Sequence, residues 1–484
     1  MKGAEMRALP PLALACVLFA GCAVGPRYER PPVTAPEQAR GQAGPPEAAS
    51  LADQAWWQIF QDEALKSLIG EAIRNAYDVR LAAWRVEEAR ASAGVARSEF
   101  FPQVQAQGLW SRSRQSAGSG FPPTPVNLYD VNLGLSWEID LWGRIRRLNE
   151  EALAQYLATE EARRGVLLSL VSSVATDYFQ LRALDLELEI ARRTKEAFQG
   201  TYDLFDRRLQ GGTGSALDTS SAAASLASTA ANIPNLERQI VAQENEIAFL
   251  LGRNPGPITR GAALNDQFLP PEIPAGLPSD LLERRPDLRE AEQNLVAANA
   301  NVGVAVANFF PAISLTGAFG GLAPQVSDLF GKGKTWSVGG GLLSPIFQGR
   351  RLKNRERAAV AQWEQAKVAY EQRVTGAFTE VSTALVAYLK LVEVEKEQAQ
   401  AVSAYKEAVS LSSQRYLAGL SDYLEVLQAQ QNLFPAENAL AQTRFNRLAT
   451  LVQLYKALGG GWKIPDQEWP GPTEERPSPP QEGR

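Results

Sequence analysis

Tyr129-Asp130-Val131-Asn132-Leu133-Gly134-Leu135-Ser136-Trp137-Glu138-Ile139-Asp140-Leu141 alternates apolar residues with polar or small ones without a break. Successive side chains of a strand point to opposite faces, so this stretch predicts a strand with one apolar and one polar face. Upstream, Val104, Ala106, Gly108 and Trp110 alternate with Gln103, Gln105 and Gln107 and form its partner. In the second half of the chain Ile313, Leu315, Gly317 and Phe319 alternate with small or hydroxyl residues, and a Gly-rich run from about Trp336 to Phe347 makes a weaker fourth strand. In a soluble sandwich the apolar face would be core and the polar face solvated. Three features favour a membrane barrel instead: the strands are on the order of 10 residues or longer, aromatics sit near their ends, and basic clusters follow them. Those clusters are Arg144, Arg146 and Arg147, then Arg350, Arg351 and Lys353. Trp137, Trp142, Arg144 and Arg350 are therefore candidate anchors at a membrane interface, where long amphipathic side chains reach the headgroups. Four strands cannot enclose a lumen, and an open sheet edge is not tolerated in lipid. Oligomerisation has to supply the missing strands, and three copies would supply twelve.

The helices carry the next step. Arg144 to Gln210 contains no proline, and neither does Arg350 to Ala418. Each would extend on the order of 100 Å at 1.5 Å per residue, a rod that fits a long tube and no small globular domain. Along the second rod Val360, Trp363, Lys367, Tyr370, Val374, Ala377, Val381, Ala384, Tyr388 and Leu391 step by three and four, with Lys367 the one polar interruption. Leu167, Val171, Val174, Tyr178, Leu181, Asp185 and Leu188 keep the same rhythm in the first. This is the seam of helices packed as in coiled coils. Two shorter segments, roughly Ala64 to Ser98 and Ser215 to Leu251, could stack end to end against the first rod, and Pro234 and Pro435 predict a kink or a broken turn in the two returning helices.

The halves also match each other. Asp78-Val79-Arg80 and Phe100-Phe101-Pro102 recur as Asp287-Leu288-Arg289 and Phe309-Phe310-Pro311 at an offset of 209; Trp142-Gly143-Arg144 is answered by Gln348-Gly349-Arg350 at 206, and Arg208 to Asp218 by Arg415 to Glu425 at 207. Ordered landmarks at nearly constant spacing indicate duplication of one unit: helix, two strands, long helix, tight turn, helix. The expected organisation is a signal peptide at 1–21, a lipidated linker at 22–50, a first repeat at 51–260, a second at 261–464, and a disordered Pro- and Glu-rich tail at 465–484.

Composition narrows the chemistry. Among 484 residues there is no histidine, the net charge is −5, and the two cysteines, Cys16 and Cys22, both lie near the N-terminus. His-based triads and His-ligated metals are excluded, thiolate metal sites in the body are excluded, and nothing basic marks a nucleic-acid surface. No cofactor or metal is expected, and the adjacent carboxylates Glu87-Glu88, Glu150-Glu151 and Glu160-Glu161 point in different directions on helices, as solvated or lumen-lining pairs rather than an acid and base. The arginine doublets Arg192-Arg193 and Arg207-Arg208 suit interhelical ion pairs. No catalytic constellation is present, so an enzyme is not expected. At the start, Lys2 and Arg7 precede an apolar run, Leu9 to Ala20, too short to span a bilayer, with Gly21 before Cys22, the pattern of an export signal.

Leu18-Phe19-Ala20-Gly21-Cys22 resembles the bacterial lipobox, in which the cysteine after the cut receives diacylglycerol and an N-linked acyl chain. With it, the repeated Phe-Phe-Pro and Leu277-Pro278-Ser279-Asp280-Leu281-Leu282-Glu283-Arg284-Arg285-Pro286-Asp287-Leu288 make the chain similar to the TolC-like outer-membrane factors of efflux pumps, in particular the lipoprotein branch of the OprM or NodT type. The resemblance covers nearly the whole mature chain. It implies an α+β membrane protein: a homotrimer whose 12-stranded β-barrel in the cell outer membrane continues into a long periplasmic α-helical barrel, anchored by acylated Cys22 in outer-membrane lipid. The implied partners are a periplasmic adaptor and an inner-membrane transporter of the resistance-nodulation-division type, and the implied function is a passive duct for drugs or other small molecules. A duct for type I protein secretion and a structural coiled-coil lipoprotein remain open alternatives.

Each rod ends in a turn, at Gly211-Gly212-Thr213-Gly214-Ser215 and at Gly419-Leu420-Ser421-Asp422. Glycine ends a helix there and Ser or Asp caps the next. The resemblance places the periplasmic gate and adaptor contact at these turns, which makes Gly212, Thr213, Leu417, Gly419, Leu420, Ser421 and Asp422 the candidate residues.

Overall fold

A computed structural model of the chain describes residues 23–42, 50–114, 125–270, 274, 276 and 278–470. Cys22 and the tail from 471 onward lie outside the described residues. The elements run α1 (Glu63–Asn75), α2 (Tyr77–Ser98), β1 (Gln103–Ser113), β2 (Val126–Ile139), α3 (Arg144–Gln210), α4 (Ala216–Leu250), α5 (Pro286–Ala307), β3 (Ala312–Ala323), β4 (Lys334–Leu343), α6 (Arg351–Leu417) and α7 (Tyr423–Ala457), with short single-turn helices between them.

The duplication is visible in lengths. The helices before the strands, α2 and α5, have 22 residues each; α3 and α6 have 67 each; α4 and α7 have 35 each. The segment expected as one helix from Ala64 to Ser98 is divided at Ala76, whose backbone leaves the helical region at ψ 136. Both returning helices continue through Pro234 and Pro435, so neither proline ends its helix, although each lacks the N–H that would close its turn.

One landmark shifts by a residue. Helices of the second repeat follow those of the first at a constant 207 from α3 onward: α3 starts at Arg144 and α6 at Arg351, α4 at Ala216 and α7 at Tyr423. Gly143, at φ 84, is therefore matched by Arg350, at φ 65, and not by Gly349. A side chain in this left-handed region costs about 1–2 kcal/mol. Glycine is needed in the first repeat because a Cβ on Gly143 would come within 2.7 Å of Ala23.

The chain divides into two compact units that cut across the repeats: one of the described residues up to Pro32 with Arg85–Glu160 and Glu290–Glu371, the other of Val33–Trp84, Glu161–Arg289 and the described residues from Gln372. The first holds the sheet, with strand order β1-β2-β3-β4, every neighbouring pair antiparallel. Its helices pack Val302 and Ala305 of α5 against Ala359 of α6, with Trp363 half-buried beside them. Lys367, the polar step in the seam, lies over the Trp363 ring at 5.9 Å. Residues expected as a linker lie along this unit: Val24 N–H donates to the Trp142 carbonyl (3.0 Å) and Arg147 donates to the Pro26 carbonyl (2.9 Å). Arg30 donates to both carboxylate oxygens of Glu292 at 2.7 and 2.6 Å.

In the second unit most of the predicted seam is buried, Leu167, Val171, Val174, Tyr178 and Leu181 on α3 and Val374, Ala377, Val381, Ala384 and Tyr388 on α6, while Asp185, Leu188 and Leu391 are half-buried; Val360, in the first unit, is exposed. The start of the expected tail is packed rather than disordered, since Trp469 is buried and its carbonyl accepts from the Trp56 indole at 3.0 Å. A single carboxylate ties three segments together. Asp62 caps α1 by accepting from Ala64 and Leu65 N–H (2.9 and 3.3 Å), and its other oxygen accepts from Tyr178 hydroxyl, Ala262 N–H and Gln267 amide at 2.8, 2.9 and 2.8 Å. Burial alone would raise the Asp62 carboxyl, but the donors from Gln267, Tyr178, Leu65 and Ala262 outweigh it and hold it below the ordinary carboxylate value. A depressed native value stabilises the fold above the unfolded value and is lost as pH falls through the native one. Asp62→Ala is expected to cost about 3 kcal/mol or more near neutral pH, by loss of the cap and the stranding of buried donors. The gap from wild type in a thermal melt followed by helical circular dichroism should narrow below about pH 4; a gap of constant size would contradict the assignment.

Candidate functional site

Two regions carry the candidate residues, one in each unit. In the first, the strand registers set the two faces of the sheet. Val104 lies opposite Leu135, which lies opposite Gly317, which lies opposite Val338; the next row is Ala106, Leu133, Phe319 and Trp336. Trp110 pairs with Tyr129 and Leu315 with Trp137 on the same face. Every residue of these rows is apolar. The opposite face carries Gln103, Gln105, Gln107, Asp130, Asn132, Ser136, Ser314 and Thr316, as the alternation predicted, with Thr335 and Ser337 of β4 beside them, and Leu109, Leu128, Leu322 and Leu343 interrupt it. The apolar face is uncovered: Trp336 is 73% exposed, Val338 81% and Phe319 55%. Wetting such a face costs about 25 cal/mol per Å² relative to burial, so it suits an apolar medium. β1 and β4 each pair on one side only among the described residues, which leaves both edges of the sheet open.

The candidate anchors sit where strands pass into helices. Trp137 donates its indole N–H to the Phe100 carbonyl at 3.0 Å. Trp142 stacks on Phe310, with centroids 4.8 Å apart, and donates to the Pro311 carbonyl at 2.9 Å. Arg144 holds both oxygens of Glu138 at 2.8 and 2.6 Å, so its guanidinium is engaged within the protein. Asp140, a residue the sequence did not single out, caps α3 by accepting from Ile145 and Arg146 N–H at 3.2 and 2.9 Å. Arg350 stands exposed just before α6.

In the second unit the two turns close their hairpins as predicted, with Gly212 at φ 71 and Gly419 at φ 73. Ser215 caps α4 through its hydroxyl, and Thr213 donates its hydroxyl to the Arg208 carbonyl at 3.2 Å. The second turn differs from expectation. Asp422 occupies the N-cap position of α7 but makes no side-chain capping bond, and the half-buried Ser421 hydroxyl has no hydrogen-bond partner among the described residues. The capping role read for this pair is therefore replaced by backbone geometry and packing. Leu417, Leu420 and Leu424 are each about 70% exposed, an apolar cluster at the turn.

Just above these turns lies a cluster absent from the sequence reading. Phe205, buried, meets the Tyr423 ring edge-on at 4.3 Å and Tyr416 at 6.1 Å. Arg208 lies over the Tyr416 ring at 5.3 Å and donates to its hydroxyl. The cluster joins the hairpin of the first repeat to that of the second. Its one sequence trace is the tyrosine beside Arg415, the repeat mate of Arg208. Higher on the same helices, buried Glu437 accepts from Arg193 at 2.7 Å and pairs with Lys406 at 3.0 Å, linking α3, α6 and α7. Of the arginine doublets, Arg192 and Arg193 do make interhelical pairs, with Glu237 and Glu437; Arg207 donates to the Asp203 carbonyl of its own helix instead. Glu161, expected on a solvated or luminal face, is buried between Arg164 and Arg289, both at 2.9 Å.

Comparison with known proteins matches this architecture. The family described as outer membrane efflux protein matches the chain twice, over residues 68–253 and 277–460, one match in each repeat. Among curated relatives, the probable efflux pump outer membrane protein TtgC of Pseudomonas putida is 37% identical, over 94% of this chain and 96% of its own. The cation efflux system protein CusC of Escherichia coli is 35% identical, over 93% and 98%. Among solved structures, the outer-membrane channel OprN superposes with a TM-score of 0.85 at 32% identity, covering 91% of this chain and 100% of that one. The open-state MtrE outer membrane channel of Neisseria gonorrhoeae gives 0.82 at 32% identity, over 91% and 99%.

Truncating the ring at the centre of the tip cluster tests its structural weight. Phe205→Ala should destabilise this end of the helices by about 3–5 kcal/mol. Limited proteolysis should then cut faster at 211–214 and 418–421, and unchanged cleavage would show that the cluster does not hold the hairpins together.

Proposed function

The chain belongs to the outer membrane efflux protein family, and on that premise we propose that three copies assemble into a passive duct for small molecules through the outer membrane. The observation that carries this reading is the four-stranded sheet with an uncovered apolar face, an opposite face that is mainly polar, and two open edges. In lipid each edge N–H and C=O must find a partner, and only closure into a barrel provides them all. Three copies give a barrel of twelve strands with the apolar face to lipid and the glutamines, asparagine and hydroxyls toward the lumen, a polar lining suited to a water-filled channel.

The duct does no covalent chemistry and consumes no nucleotide, so energy comes from an inner-membrane transporter of the resistance-nodulation-division type reached through a periplasmic adaptor. The names of relatives cite toluene, antibiotics and cations as cargo; small solutes are the cargo proposed for this chain too. Cys22 is the acylation site, placing lipid one residue before Ala23. Trp137, Trp142 and Arg350 sit at the membrane boundary, with Arg144 supporting it through Glu138. Gly212, Thr213, Leu417, Gly419, Leu420, Ser421 and Asp422 form the gate and adaptor contact; copies of Leu417 and Leu420 brought around an axis would make a constriction that excludes water. The repeats at 51–260 and 261–464 are the units that build both ends of the duct.

Deleting the gene in a host without redundant ducts tests the function. Susceptibility to several drugs and accumulation of a fluorescent dye should both rise, and unchanged values for both would overturn the reading.

A further inference from the structure

Within one chain, the second strand of the first repeat lies beside the first strand of the second repeat, β2 on β3. At the open edges the same order is available with the repeats exchanged, since β4 is the second strand of its repeat and β1 the first of the other. Resting on the trimeric reading, we propose that the seam between subunits copies the β2–β3 register residue for residue.

The correspondence between repeats fixes that register. β1 maps onto β3 at 209, because α2 and α5 end at Ser98 and Ala307 and the strands start at Gln103 and Ala312. β2 maps onto β4 at 207, because the helices that follow start at Arg144 and Arg351. The chemistry agrees: Tyr129, Val131, Leu133 and Leu135 map to Trp336, Val338, Gly340 and Leu342, all on the apolar face. Leu135 opposite Gly317 then becomes Leu342 opposite Gly108 of the partner subunit, and Leu133 opposite Phe319 becomes Gly340 opposite Trp110 of the partner subunit.

Each of these pairs sets a large side chain against a glycine. Leu342 is 71% exposed and Trp110 61%. A Cβ placed on Gly108 would meet nothing within 4 Å, and one on Gly340 nothing nearer than 3.9 Å. The seam therefore brings two exposed side chains to two vacant strips of backbone. A slip of one residue would turn the apolar residues of one strand toward the polar face of the other. A slip of two keeps the faces but opposes Trp110 to Val338 or Leu342 and Gly108 to Gly340 or Ser344, losing both complementary pairs. Pro345 has no N–H to donate, so the ladder ends before it, at the helical side of the sheet.

Cysteine pairs read the register directly, because opposite Cβ atoms lie within disulfide reach and those two residues along do not. Leu342→Cys would be combined with Gly108→Cys in the full-length protein, and separately with Ala106→Cys and with Trp110→Cys as slip controls. Outer-membrane vesicles are oxidised with diamide, and denaturing gels are run with and without reductant. The Gly108 pair should yield reductant-sensitive dimers and trimers at least about fivefold above either control and above the single-cysteine variants. Stronger crosslinking of a control pair, or none in any pair, in a protein whose detergent-solubilised mass is trimeric, would overturn the register and leave the duct standing. A monomeric mass would overturn the reading on which it rests.

Discussion

The constraint on which the structure depends is that a backbone N–H or C=O in hydrocarbon must be hydrogen-bonded within the protein. β1 to β4 satisfy each other across three antiparallel ladders and leave two edges unsatisfied. The apolar rows from Val104 to Val338 and from Ala106 to Trp336 exclude water as the source of the missing bonds, because that face belongs in lipid. Only additional strands remain, and the chain has no others among its described residues. Subunit number is thus a requirement of the pore, not an addition to a finished protein.

Duplication explains how one chain of this length meets the constraint, and where it departs from symmetry. Each repeat builds two strands, a 67-residue helix and a 35-residue return. The strand–helix junctions differ. The first is closed by Asp140 on the helix N-terminus, by Trp142 stacked on Phe310 and by Gly143 against Ala23. At the second, Arg350 takes the left-handed position of Gly143, and Ile346 and Phe347 are about 90% exposed. The less finished junction adjoins the edge strand β4, where another subunit is to be met.

Much of this was legible from residue order alone, for a physical reason. Strand alternation and the three-four step are local periods, so the faces of Tyr129 to Leu141 and the bounds of both rods could be read to within about a residue or two. The duplication was legible too, though the glycine pair Gly143 and Gly349 misled by one position, because a glycine was matched to a glycine where the backbone matches it to Arg350. What could not be read were contacts between distant segments. Asp62 meets Tyr178, Ala262 and Gln267 at separations of 116, 200 and 205 residues, and the rings of Phe205, Tyr416 and Tyr423 converge from both repeats. Such contacts leave no period. Trp469 shows the same limit: its Pro-rich neighbourhood reads as a disordered tail, yet the residue is buried and its carbonyl meets Trp56, a contact at a separation of 413 residues.

The central claim is that this sheet closes only between copies of the chain. The most direct measurement is the mass of the purified lipoprotein in detergent, by light scattering corrected for bound detergent, alongside its single-channel conductance in planar bilayers. A mass of three chains and discrete conductance steps from that species are expected. A monomer that spans the bilayer and conducts would contradict it.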